Sequence, residues 1–204
     1  MNVISLCDHS AVMVMPWVDA GFLAHCYDLQ NETGCCGLLY KSNTDVRKLG
    51  VFPMRATIVF AFPPCTNLAV SGARWFQDKG LQGLIDGLEV VEACRKICEA
   101  SGAPWMLENP VSTLSTYWRK PDFMFDPCDY AGYLDDPAPE AYTKRTCLWT
   151  GGGFVMPEKR RVEPVLGSKM HLLPPSADRA NLRSRTPAGF AKAVFMANGK
   201  LVSA

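Results

Sequence analysis

Two hydrophobic periods alternate along the chain. Short apolar runs of strand length stand at residues 3–7, 23–27, 58–61, 105–107 and 146–150. Runs of that kind suit strands buried on both faces, as in a parallel sheet. Between the third and fourth runs the period changes. Leu81, Leu84, Ile85, Leu88, Val91, Cys94, Ile97 and Cys98 recur every three or four residues, and Asp86, Glu89, Glu92, Arg95, Lys96 and Glu99 fall outside that stripe. This spacing predicts an amphipathic helix over 81–100. A helix joining two parallel strands crosses over right-handed, so the loops after both strands leave the same sheet edge. A shorter helical segment through Pro16, Trp17 and Val18 stops at Gly21. A terminal helix is predicted over 187–198, with Thr186 to cap it, Pro187 at its first position, and Phe190, Val194 and Ala197 on one face.

The intervening stretches lack either period. Residues 31–50 are polar and glycine-bearing and read as loop, and residues 111–141 are broken by Pro121, Pro127, Pro137 and Pro139. Gly151, Gly152 and Gly153 end the last strand, and residues 157–186 read as an extended arm rich in Arg and Pro. Strands alternating with helices predict an α/β fold of Rossmann-like type, with a mostly parallel central sheet, flanking helices and one domain over 1–204.

Composition narrows the class. Of 204 residues, 48% are apolar and 20% charged, a globular balance. No run of 18 apolar residues occurs and Asp8 interrupts the first apolar run, so no membrane span or signal peptide is expected and the protein should be cytoplasmic. The nine cysteines form no Cys-x-x-Cys pair, and His9, His25 and His171 are scattered, so neither a metal site nor a disulfide framework is expected. Cys94 and Cys98 fall on the helical stripe and read as packing. Net charge is +1, but residues 159–200 hold nine Lys or Arg against Glu163 and Asp178, an excess of seven, leaving −6 on the rest. That basic end suits either a polyanionic partner or a solvated surface.

Candidate chemistry sits where the strands stop. The run 58–61 is ended by Pro63-Pro64, and Cys65 follows at once. Proline lacks the ladder N–H, and the carboxyl edge of an open α/β sheet is where ligands bind. Cys65 is thus either a displayed nucleophile or one more buried thiol. The run 105–107 repeats the pattern and ends in Glu108-Asn109-Pro110, which places a carboxylate at the same edge. The first β-α-β unit ends in Asp28, an acid where nucleotide-binding folds hold ribose hydroxyls.

Pro63-Pro64-Cys65 followed by Glu108-Asn109-Pro110, each after a strand, resembles the DNA cytosine-5 methyltransferases, and most closely their small phage and prophage members. Tyr142-Thr143-Lys144-Arg145-Thr146 is similar to that family's arginine motif. The resemblance implies an S-adenosylmethionine-dependent methyltransferase fold that modifies cytosine C5 in DNA, in the cytoplasm of a bacterial host. It assigns Cys65 as nucleophile, Glu108 as the acid that holds the base, and Arg145 as helper. Asp8, Ser10, Asp28, Asp45 and Pro63 would contact S-adenosylmethionine, and Asn109, Arg74 and Lys144 the substrate. Asp45 also suits a plain turn, and Trp75 and Phe76 suit either the DNA or the core.

Two features depart from the family. The first turn, Cys7-Asp8-His9-Ser10-Ala11-Val12, has no glycine, where Phe-x-Gly-x-Gly is usual. The interval 150–186, about 36 residues, is too short for a folded recognition domain. Related C5 chemistry on a free cytosine nucleotide, or with another one-carbon donor, stands as the alternative, beside a DNA-binding relative without catalysis.

Overall fold

A computed structural model of the protein describes residues 1–50 and 55–200, apart from the His171 side chain. The elements in order are β1 (Asn2–Leu6), α1 (Met15–Asp19), β2 (Leu23–Asp28), β3 (Gly34–Cys36), β4 (Leu39–Asn43), β5 (Ala56–Ala61), α2 (Phe76–Ala100), β6 (Trp105–Pro110), α3 (Leu114–Tyr117), β7 (Phe123–Phe125), β8 (Thr146–Gly151), α4 (Lys169–Leu172), α5 (Arg179–Ser184) and α6 (Ala188–Asn198). All eight strands join one sheet in the order β3-β4-β2-β1-β5-β6-β8-β7.

The chain leaves β1 toward β2 and β4, then returns to the other side of β1 to lay down β5 and β6. Strand order therefore reverses between β1 and β5, the place where an open α/β sheet forms its ligand crevice. The five strands β4, β2, β1, β5 and β6 are parallel. β3 pairs antiparallel with β4, and β8 pairs antiparallel with both β6 and β7. The sheet is thus mixed, where a mostly parallel one was expected.

Alternate residues of the central strands feed two cores. Val3, Ile58, Phe60, Met106 and Leu148 pack with Trp17 of α1 and Phe190 and Val194 of α6. Ile4, Leu6, Val59, Ala61, Leu107 and Trp149 pack with Val91, Cys94, Ile97 and Cys98 of α2. This two-sided burial is why the strands read as unbroken apolar runs. The helix expected over 81–100 is there, and a further turn precedes it, divided from it by Gly80 at φ +61.

Three expectations are corrected. The stretch 31–50, read as loop, carries the β3–β4 hairpin, turned at Gly37 with φ +58. Residues 111–141 hold α3 and β7, and the arm at 157–186 holds the short helices α4 and α5. The cap of α6 is not Thr186. Glu140 reaches across and accepts the backbone N–H groups of Ala188 (2.5 Å) and Gly189 (2.9 Å). Position 189 must be glycine for this packing, because a Cβ there would lie 2.4 Å from the Tyr130 carbonyl oxygen.

Among the described residues no helix is long and apolar enough to cross a membrane. No group of three or more His, Cys, Asp or Glu side chains among them is placed to hold a metal ion. All nine cysteines are free.

Candidate active site

β5 and β6 run parallel with Ala61 opposite Leu107, so the segment after β5 leaves the sheet beside Glu108, which β6 carries on as far as Pro110. Phe62 N–H makes the last ladder bond, to the Leu6 carbonyl (2.9 Å), before Pro63-Pro64 ends the strand. Cys65 then starts a tight turn, its carbonyl accepting the N–H groups of Leu68 (2.9 Å) and Ala69 (2.8 Å). The buried Asn109 of β6 donates its side-chain N–H to the Pro63 carbonyl at 3.0 Å and ties the loop after β5 to β6. Its Oδ1 is buried with no partner among the described residues, an orphan acceptor of the kind that functional sites tolerate.

Glu108 is half-buried, and no hydrogen bond from a described residue reaches its carboxylate. Burial pushes its proton affinity up, against the opposing charge of Lys144. The Cys65 thiol is also raised, first by burial and then by the charge of Glu108, while Lys144 and Arg183 pull it down. Glu108, Lys144 and Arg183 are therefore all within electrostatic reach of Cys65.

Strand register explains why Lys144 joins this group. Glu108 stands opposite Leu148 and Pro110 opposite Thr146, so Lys144, two residues before Thr146, continues the Glu108 face. Arg145 belongs to the other face. It is 58% exposed and paired with Asp126 at 3.4 Å, and Lys144 is anchored through its backbone N–H to the same Asp126 (2.9 Å).

The assigned cofactor residues divide in two. Asp8 is buried inside the first turn and accepts from Ser5 Oγ (2.8 Å), Ser10 Oγ (3.1 Å) and the Ala11 N–H (2.7 Å). Burial raises its carboxyl nonetheless. Asp8 and Ser10 thus hold the turn itself. Cys7 at φ +54 and Ala11 at φ +58 take the left-handed conformations that glycine would adopt without strain. Asp28 and Asp45 converge on Cys7. Contact with Cys94, whose sulfur lies 3.9 Å away, then burial and these two carboxylates hold the Cys7 thiol well above its usual range. Asp45 also caps the turn at 46–48 and pairs with Arg47 at 2.7 Å. Asp28 uses one oxygen, on the Gln30 N–H (2.7 Å), and the other has no partner among the described residues. A cavity of about 330 Å³ opens beside the Cys65 loop, lined by Arg47, Pro64, Thr66, Asn67, Asp86 and Gly87 among others.

Arg74 lies in the 3-10 segment after Cys65 with its guanidinium 5.2 Å from the Trp75 ring centre. Much of the basic arm is occupied by the fold. Lys159 and Arg161 both pair with the buried Asp129, and Arg160 lies over Tyr133 at 4.3 Å. Arg183, read from the sequence only as part of that arm, carries a charge that pulls the Cys65 thiol down. No local signal marks it, since its position depends on how the arm folds back.

No protein-family model and no curated protein matches the chain. Among solved structures, the crystal structure of the glycopeptide N-methyltransferase MtfA is similar over 80% of this chain and 67% of that one, with 13% identity and a TM-score of 0.31. Similarity at that level does not fix a shared fold, which rests here on the sheet order, and it says nothing of substrate.

Proposed function

We propose that the chain is an S-adenosylmethionine-dependent methyltransferase acting on C5 of cytosine in DNA through a covalent Cys65 adduct. The observation that carries this reading is the pairing of Cys65 with Glu108 on one sheet edge, held together by the bond from Asn109 to Pro63. Burial is the first cause that raises the Cys65 thiol and the charge of Glu108 the second; protonating Glu108 removes that second cause, so a thiolate is easier to form beside the carboxylic acid than beside the carboxylate. That is the state the chemistry needs. The thiolate adds to cytosine C6 while Glu108 donates its proton to N3, which makes C5 nucleophilic. After C5 has taken the methyl group, a water molecule accepts the C5 proton, the C5–C6 double bond reforms as the C6–S bond breaks with its electron pair returning to Cys65 as thiolate, and N3 gives its proton back to Glu108. Lys144 and Arg183 favour the thiolate and suit the phosphates beside the base.

The carboxyl edge fits the adenosine half of the cofactor. Asp28, at the end of β2, keeps a carboxylate oxygen for a ribose diol. Bound there, S-adenosylmethionine would supply the methyl electrophile. The closed first turn, whose acid is spent on its own backbone and hydroxyls, favours a second reading: the same cysteine chemistry with a different one-carbon donor.

The test is a mechanism trap. Fluorine at C5 cannot leave as a cation, so cytosine DNA carrying it should form a denaturation-resistant adduct with the protein and S-adenosylmethionine. Cys65→Ser should form none, Glu108→Gln should form it far more slowly, and Cys94→Ser should form it normally. Absence of adduct in a protein that binds cofactor and DNA would leave Cys65 without a covalent role.

A further inference from the structure

We propose that the substrate is presented as a single strand, with a nucleotide next to the target base stacked on Trp75. The inference rests on the preceding reading for the identity of the target base. Trp75 is 52% exposed even with Arg74 lying across its ring, which leaves an aromatic face open for a base to stack on. It stands on the platform that carries the chemistry. The segment after Cys65 is stitched to the segment after Glu108 by Val70 N–H to the Val111 carbonyl (3.1 Å), Thr113 N–H to the Leu68 carbonyl (3.2 Å) and an Ala69–Ser112 bridge. From Val70 to Trp75 the chain is one 3-10 segment, roughly 10 Å of rise. A platform of exposed aromatic and guanidinium is how single strands are held without sequence preference.

Charge points the same way. Lys159, Arg160 and Arg161 are engaged by Asp129 and Tyr133, so they hold the fold. Arg74, Lys144 and Arg183 have no ion pair among the described residues; Arg74 lies beside Trp75, and the charges of Lys144 and Arg183 act on the Cys65 thiol. Three cations match about three phosphates, which a strand of a few nucleotides supplies. The only helices between β8 and α6 are the short α4 and α5. A base in a single strand also reaches Cys65 without the cost of leaving a duplex stack.

The test compares a dye-labelled seven-nucleotide strand with a central cytosine, the same sequence as a duplex, and deoxycytidine monophosphate as competitor. The single strand should bind at least about tenfold more tightly than the duplex, with a log–log salt slope of about −2. Deoxycytidine monophosphate should compete weakly. Trp75→Ala should weaken single-strand binding by roughly fivefold to a hundredfold, and Trp75→Phe should keep most of it. Circular dichroism of both variants checks that the fold is intact. Equal or tighter duplex binding, or a Trp75→Ala variant that binds the strand normally, overturns the proposal. Trapping by fluorinated cytosine is read separately. A protein that binds single strands through Trp75 but traps nothing keeps this inference and loses the cytosine chemistry. One that traps only on duplex keeps the chemistry and loses this inference.

Discussion

Burial, with no hydrogen bond from a described residue to share the charge, sets the proton affinity of Glu108. A carboxyl raised in the folded state holds a proton that the unfolded chain has already released. Stability should therefore fall as pH rises from the ordinary glutamate value of about 4.3 through the raised folded-state value, and stay level above it. Glu108→Gln removes that slope. The variant should melt at a higher temperature than the parent near neutral pH, with no such gain at pH 4, while trapping slows. Thermal melts across pH 4–8 would check this, and an equal gain at every pH would mean that packing, not charge, is responsible. Lys144 and Arg145 show how much one residue of register decides. Adjacent in sequence, they occupy opposite faces, so one charge acts on Glu108 and the other is spent on Asp126.

At the scale of elements, α6 depends on a partner 48 residues away in sequence. Glu140 accepts two of its orphan N–H groups, and burial raises that carboxyl against the pull of those bonds. Glu140→Ala should cost about 1 kcal/mol, as loss of a helix cap does, measured as a lower denaturation midpoint; Thr186→Ala should change little by comparison. Sequence pattern alone could not separate these, because the local cap signal at Thr186 is real and the distant one leaves no trace. Elements buried on two faces were legible, since β5, β6 and α2 carry apolar runs or stripes that state their own period. The β3–β4 hairpin was not. Gly34, Cys35 and Cys36 are all exposed at the sheet margin and have no apolar face to betray them. The nearness of Cys65 to Glu108 was legible only in part, since Pro63-Pro64 does end β5 but β6 runs on through Pro110, paired with Thr146, where a proline stop was expected. The contributions of Lys144 and Arg183 came from strand register and arm folding, which no short motif encodes.

Across the whole molecule, the face of the sheet covered by α1 is completed by α6. Phe190 of α6 is 1% exposed and stacks on Phe125 with ring centres 4.1 Å apart, with Tyr130 at 5.1 Å. Phe190→Ala should cost about 3–5 kcal/mol, seen as a lower urea midpoint with an unchanged m-value. A smaller loss would show that neighbours collapse into the space. Trp17 of α1, fully buried, meets Phe195 of α6 edge to face at 5.1 Å. This joint has a consequence for synthesis. The two helices are separated by nearly the whole described chain, and a ribosome adds about 5–20 residues per second. Each nascent copy therefore spends on the order of ten to thirty seconds with α1 made and its cover not yet translated. During that interval Trp17 and its neighbours are an open apolar surface, and the yield of folded protein depends on how well a chaperone, or simple isolation from other nascent chains, protects it until α6 emerges.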